Sequence, residues 1–150
     1  CHVRPPLRSQ RDQDALRAGL ADNTIDAICS DHQPHEIDAK LAPFQQTEPG
    51  ISALETLLPL TLRLVEERCL SLDQAIAKLT SAPAAIIHDA AGRLQVGAPA
   101  DLVLFDPDEL WTLERDQMLS MGKNTPFIGW GFHGKVRHVW LAGQPIYRME

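Results

Sequence analysis

Cysteine is scarce and unpatterned: Cys1, Cys29 and Cys69 are odd in number and contain no C-x-x-C pair. Such a set suggests neither a disulfide framework nor a thiolate zinc site, and a reducing cytoplasm fits it best. Positive charge is also in short supply. Fourteen Lys plus Arg stand against twenty Asp plus Glu, a net charge of -6, and no basic face is clustered. A phosphate backbone is therefore not the expected partner, and no nucleic-acid role is expected. Long hydrophobic runs are missing too. The longest apolar-rich stretch, Ile51 to Val65, is broken by Glu55, Pro59 and Arg63. No basic n-region opens the chain, so neither a membrane span nor a leader is expected. There is no initiator Met; the text starts at Cys1-His2-Val3-Arg4-Pro5-Pro6 as though in mid-fold, and a piece of something longer is expected.

What is present suits a globular chain: 150 residues, 44% hydrophobic and 23% charged, with no repeat or low-complexity tract. Ser9 with Asp12 predicts a helix start, and Asp22-Asn23 its end. Ile25, Ala27, Ile28 and Cys29 then predict a short buried strand, which delivers Ser30-Asp31-His32-Gln33-Pro34-His35 into a polar loop reaching Gly50. Ile51, Leu54, Leu58, Leu62 and Val65 recur at helical spacing, and Leu57, Leu60 and Leu64 widen the stripe, predicting a mostly buried helix kinked at Pro59. Ser71 with Gln74 is a capping box for a helix over about Leu72 to Leu79, and a short helical piece, Pro83 to His88, follows. From Gly92 the pattern changes to glycine-punctuated β runs, which sets the domain boundary: 1–91 and 92–150. Leu102 to Phe105 predicts a buried strand. Val136 to Leu141 with Ile146-Tyr147 predicts a hairpin turning at Ala142-Gly143.

Asp31 is the first candidate for chemistry, because α/β barrels place reacting groups at the C-terminal ends of their strands. Taken alone, an Asp here is more often an ordinary turn cap beside Pro34. His32 and His35 have H-x-x-H spacing but lie in a loop, not one turn apart on a helix as a zincin site needs. His2, His88, His133 and His138 are scattered. One plausible carboxylate is short of the three or four ligands a metal requires, so further ligands would come from elsewhere.

Several ordered motifs together resemble the C-terminal part of dihydroorotase, a cyclic-amide hydrolase of the amidohydrolase superfamily. Arg4-Pro5-Pro6-Leu7-Arg8 is similar to its N-P-P-L-R segment. Ser30-Asp31-His32-Gln33-Pro34-His35 resembles its D-H-A-P-H signature, and Glu48-Pro49-Gly50-Ile51 with Glu55 its P-G-x-x-x-x-E stretch. Leu94 to Val103 is similar to the superfamily's G-x-x-A-D-L-V entry into a β-rich domain, and Gly122 to Phe127 resembles G-K-N-T-P-F. The resemblance implies the last part of a (β/α)8 barrel followed by part of a small β-sandwich domain. It implies zinc, with Asp31 as metal ligand and proton carrier. His35, backbone groups at Pro49 and Gly50, and the position of Arg4 would contact a pyrimidine precursor. The implied reaction interconverts dihydroorotate and N-carbamoyl-aspartate.

Two positions depart from that pattern: Arg4 stands where active members carry Asn, and Gln33 where they usually carry Ala. The stretch Asp31 to Gly50 is closest to dihydroorotase-like subunits that accompany aspartate transcarbamoylase and have lost hydrolase activity, although Asp31 is kept. Two readings therefore stay open, a zinc hydrolase and a silent assembly subunit. The second expects an Arg4 to Asp31 ion pair in place of metal. Either is expected in a homo-oligomer or hetero-complex.

Overall fold

The computed structural model describes residues 1–149. Four helices precede a β-rich part: α1 (Gln10–Ala21), α2 (Leu54–Glu66), α3 (Leu72–Leu79) and α4 (Ser81–Ile86), then β1 (Leu102–Thr112), β2 (Gly131–Leu141) and β3 (Gln144–Arg148). Two 3-10 turns, Asp38–Lys40 and Phe44–Gln46, shape the long loop between α1 and α2.

Helix α1 starts where Ser9 predicts. The Asp12 carboxylate accepts both the Ser9 backbone N–H at 3.0 Å and its hydroxyl at 2.6 Å, closing the first turn at the positive end of the helix dipole. The hydroxyl bond, then the backbone one, holds the Asp12 carboxyl below its ordinary 3.8. Asp22, at the other end, is lowered chiefly by the Thr24 backbone N–H. A depressed carboxyl stabilises the fold above its unfolded pKa and loses that contribution as pH falls through the folded one. Asp12→Asn is therefore expected to lower the urea midpoint at pH 7, and the gap to the wild type should close in acid, as the carboxyl protonates below its ordinary range. Equal gaps at pH 7 and in acid would contradict this account of the cap.

The predicted strand over Ile25 to Cys29 does not form. A strand exists through its ladder, and the described residues offer this segment no neighbouring strand. Instead Ile25 N–H bonds Gly19 O at 2.8 Å and Ile28 N–H bonds Lys78 O at 3.0 Å, leaving Ile25 and Ile28 half-buried and Cys29 exposed. What remains of parallel pairing is one isolated bridge, His32 to Ile51.

Helix α2 carries Pro59 inside it. It is less buried than its leucine stripe suggests: Thr56, Pro59, Thr61 and Leu62 are buried, whereas Leu54 is 58% exposed. It packs on β2 and α3, so one side only is covered within this chain. The capping box of α3 is present, with Gln74 N–H donating to the Ser71 hydroxyl and Ser71 N–H to the Gln74 side chain.

The sheet is antiparallel in the order β1-β2-β3. β1 is longer than the four-residue run that predicts it, and its ladder with β2 breaks between Asp106 and Leu110, around Pro107, which has no N–H to give. The hairpin turns at Ala142 and Gly143, both at positive φ, 49° and 77°, as a twist-matched two-residue turn requires. Asp101 secures it: its carboxylate accepts the Ala142 N–H at 2.6 Å. At the other end of the sheet Leu113, Met118 and Phe132 form the buried core, with Leu60, Trp111, Phe127 and Ile128 packed around it. That core joins α2 to the β-rich part and fixes the segment that runs from Met118 towards the long loop.

Candidate functional site

Asp31 is delivered by a segment anchored from below. Lys78, 4% exposed, donates from Nζ to Asn23 Oδ1 at 3.0 Å and to the Ile25 carbonyl. Asp31 itself is exposed and sits at φ 43°, a left-handed conformation that Asp and Asn tolerate better than other residues with a Cβ. Its Oδ1 accepts a hydrogen bond from Gln33 Nε2 at 3.1 Å.

The two loop motifs lie side by side. Gln33 N–H bonds Ile51 O at 2.9 Å. His32 Nδ1 accepts the N–H groups of Ala53 and Leu54 at 3.0 and 3.1 Å, so this ring caps the N-terminus of α2. Its proton therefore sits on Nε2. His35 Nε2 lies 3.0 Å from Pro49 O; a carbonyl only accepts, so Nε2 carries the proton and the H-x-x-H pair is used for loop structure. Gly50 is buried at φ 122°, and a Cβ there would stand 2.5 Å from that of Gln33. Only glycine fits.

The backbone groups of Pro49 and Gly50 are largely engaged within the chain. Gly50 N–H bonds His2 O at 2.8 Å, and Gly50 O accepts from Lys40 Nζ at 2.8 Å and Asn124 Nδ2 at 3.1 Å. Pro49 O keeps a lone pair beyond its His35 bond. Thus Asp31, His35, Pro49 and Gly50 converge on one loop cluster. Arg4 is exposed and does not pair with Asp31: the ion pairs among the described residues are Arg17–Glu67, Arg63–Glu67 and Arg137–Glu109. The Arg4–Asp31 pair expected of the silent reading is absent because both side chains are turned to solvent, where a pair gains little.

Sequence reasoning assigned no role to Lys40, Lys78 or Asn124. Asn124 lies in the G-K-N-T-P-F match, which marked the segment without its task. Among the described residues no three His, Cys, Asp or Glu side chains come together as a metal site. The donor set of this chain, one carboxylate beside two histidines used for loop structure, does not by itself fit zinc. Among the described residues no helix is long and apolar enough to cross a membrane.

The profile of the Amidohydrolase family matches residues 3–146. The chain belongs to the amidohydrolase family. Among amidohydrolases it is 52% identical to a dihydroorotase-like protein of Pseudomonas putida over 99% of this chain and 35% of that one. It is 47% identical to a dihydroorotase of Syntrophotalea carbinolica over 99% and 35%. The dihydropyrimidinase structure from Brevibacillus agri superposes with a TM-score of 0.90 at 26% identity, covering 98% of this chain and 33% of that one. The chain thus spans about a third of the length of the curated relatives it matches, and it shares the fold of the amidohydrolase barrel enzymes over that third.

Proposed function

We propose that this chain is the C-terminal part of a dihydroorotase-type cyclic-amide hydrolase. Residues 1–91 would supply the last strand region and helices of a (β/α)8 barrel, and residues 92–150 part of a β-sandwich domain. A cytoplasmic location goes with this reading. The observation that carries it is the meeting of Asp31, His35 and Pro49 on one loop cluster, with His35 fixed by Pro49 O. His35 Nδ1 has no hydrogen bond among the described residues; with the proton on Nε2 it faces a ligand as an acceptor, and it meets an anionic group only as the second N–H of a doubly protonated ring. Asp31 accepts a proton when ionised and donates one when protonated, which is what opening a ring amide asks of a group beside the leaving nitrogen. A ligand at Gly50 would have to displace the His2 carbonyl from its N–H; Pro49 O and His35 are the freer contacts. The zinc of this reading would take Asp31 as its ligand from this chain and the rest from the remaining two thirds.

The second reading, a silent subunit stabilising aspartate transcarbamoylase, is favoured by Gln33. The residue that departs from the active pattern is the one bonded to Asp31 Oδ1. The full-length protein separates the two. The hydrolase reading expects bound metal by elemental analysis together with turnover of dihydroorotate and N-carbamoyl-aspartate. Full-length protein that turns over neither, and that co-purifies stoichiometrically with aspartate transcarbamoylase, would replace it with the silent one.

A further inference from the structure

Asn124 lies in the β-rich part, about 90 residues away in sequence from Gln33 and His35, yet its side chain reaches both motif loops. Its Oδ1 accepts the His35 N–H at 2.6 Å. Its Nδ2 donates to Gln33 O at 3.2 Å and to Gly50 O at 3.1 Å. Its own carbonyl accepts the Ser52 N–H at 3.2 Å. The side-chain amide thereby fastens the turn after Asp31 to the Pro49-Gly50 turn, and the backbone carbonyl of the same residue holds the entrance to α2. The orientation is forced, because exchanging the amide's O and N would set oxygen against two carbonyls and N–H against N–H.

The segment carrying Asn124 is itself held at several points. Met118 is buried in the core, and the Glu55 carboxylate at the start of α2 accepts the N–H groups of Leu119 and Ser120, both at 3.1 Å. The Ser52 and Ser120 hydroxyls meet at 3.1 Å. Lys123 Nζ bonds Arg115 O at 2.8 Å. Gly122 is buried against the Pro34-His35 peptide so closely that a Cβ would lie 2.6 Å from His35 N and from Pro34 Cβ. Residues 118–124 are thus a strap lying on the loop, not a linker passing over it.

We propose that this strap positions the site, and that Asn124 is a positioning residue setting where the His35 ring and the Pro49 carbonyl stand. The inference rests on the function proposed above for its kinetic consequence but not for its structural one. A group that fixes ligand-contacting atoms without touching the reacting bond acts on binding more than on turnover. The strap then makes the β-rich part a component of the substrate loop's geometry.

The test uses full-length protein carrying Asn124→Ala or the isosteric Asn124→Asp, which keeps the shape should the alanine variant fail to fold. Asn124→Ala is expected to raise KM for dihydroorotate about tenfold with kcat within about threefold, as lost placement of binding groups predicts. The carboxylate of Asn124→Asp keeps the acceptor for His35 N–H but opposes the Gln33 and Gly50 carbonyls. Its defect relative to wild type should shrink on acidification, when protonation returns one donor. Amide hydrogen exchange should show His35 losing protection in Asn124→Ala, which removes the acceptor of its N–H, while α3 keeps it. Unchanged His35 exchange in folded Asn124→Ala, or Asn124→Asp matching wild-type KM at neutral pH, would overturn the proposal. Absence of hydrolysis in the wild type would sink the hydrolase reading instead, and the His35 exchange still judges the strap.

Discussion

Asp31→Asn in the full-length protein is expected to lower kcat for dihydroorotate hydrolysis by about 10²- to 10⁴-fold, the contribution typical of a positioned proton-transferring group. Stability should barely change. Asn is nearly isosteric, its side-chain oxygen still accepts the Gln33 Nε2 bond seen at 3.1 Å, and Asn is as tolerant as Asp of the left-handed φ of 43°. What it loses is the capacity to take a proton and return it. The comparison to make is kcat against the urea midpoint of the same preparation. A variant that keeps turnover within a few-fold of wild type at unchanged stability would remove Asp31 from the chemistry. One that loses both together would mark it as a structural turn residue, the ordinary role of an Asp beside a proline.

Gly134→Ala is expected to produce the largest loss of stability. Gly134 is buried in β2 at φ 93°, and a Cβ there would stand 2.2 Å from Leu62 Cδ1. Leu62 is 4% exposed on the buried face of α2, so its side chain has little room to turn away. The Gly134 carbonyl also accepts the Trp111 Nε1–H at 2.9 Å, which resists rotation of the peptide. Left-handed backbone costs a residue with a Cβ about 1–2 kcal/mol, and overpacking a close contact about 1–3 kcal/mol more. Together they amount to about 2–5 kcal/mol, or roughly 1–3 M in urea midpoint. Because the clash is with one side chain, Leu62→Ala in the Gly134→Ala background should cost less than the two single changes summed. Additive losses would place the strain in the backbone alone.

Local chemistry accounts for the parts that were legible in the sequence. The Ser9 and Ser71 helix starts, and the Ala142-Gly143 hairpin, are each decided by side chains within a few residues, and the structure keeps them all. The run Ile25 to Cys29 was misread because strand formation depends on a partner, and apolar content alone does not supply one. The leucine stripe of α2 overstated its burial for the same reason: coverage depends on what packs opposite. The loop position of His32 argues against a zincin-type metal ligand, but its task, capping α2 through Nδ1, follows only from the loop geometry.

Lys78 shows the limit most sharply. In sequence it is an ordinary basic residue in the last turn of a helix, where the dipole favours a cation. In the fold it is almost fully buried and holds the segment that delivers Asp31. Asn124 likewise sits inside a recognisable motif, yet its partners are about 90 residues away in sequence. The sequence by itself determined the helix caps and the turn chemistry, which residue type and short spacing fix, and its ordered motifs, through their resemblance to dihydroorotase, named the family and the candidates Asp31, His35, Pro49 and Gly50. Only the tertiary structure decided that Arg4 and Asp31 stay apart, that the Gly50 polar groups are spent within the chain, and that a strap from the β-rich part seats the loop. Those outcomes depend on which distant hydrogen-bonding groups meet, and a buried donor or acceptor must find its partner wherever the fold brings one.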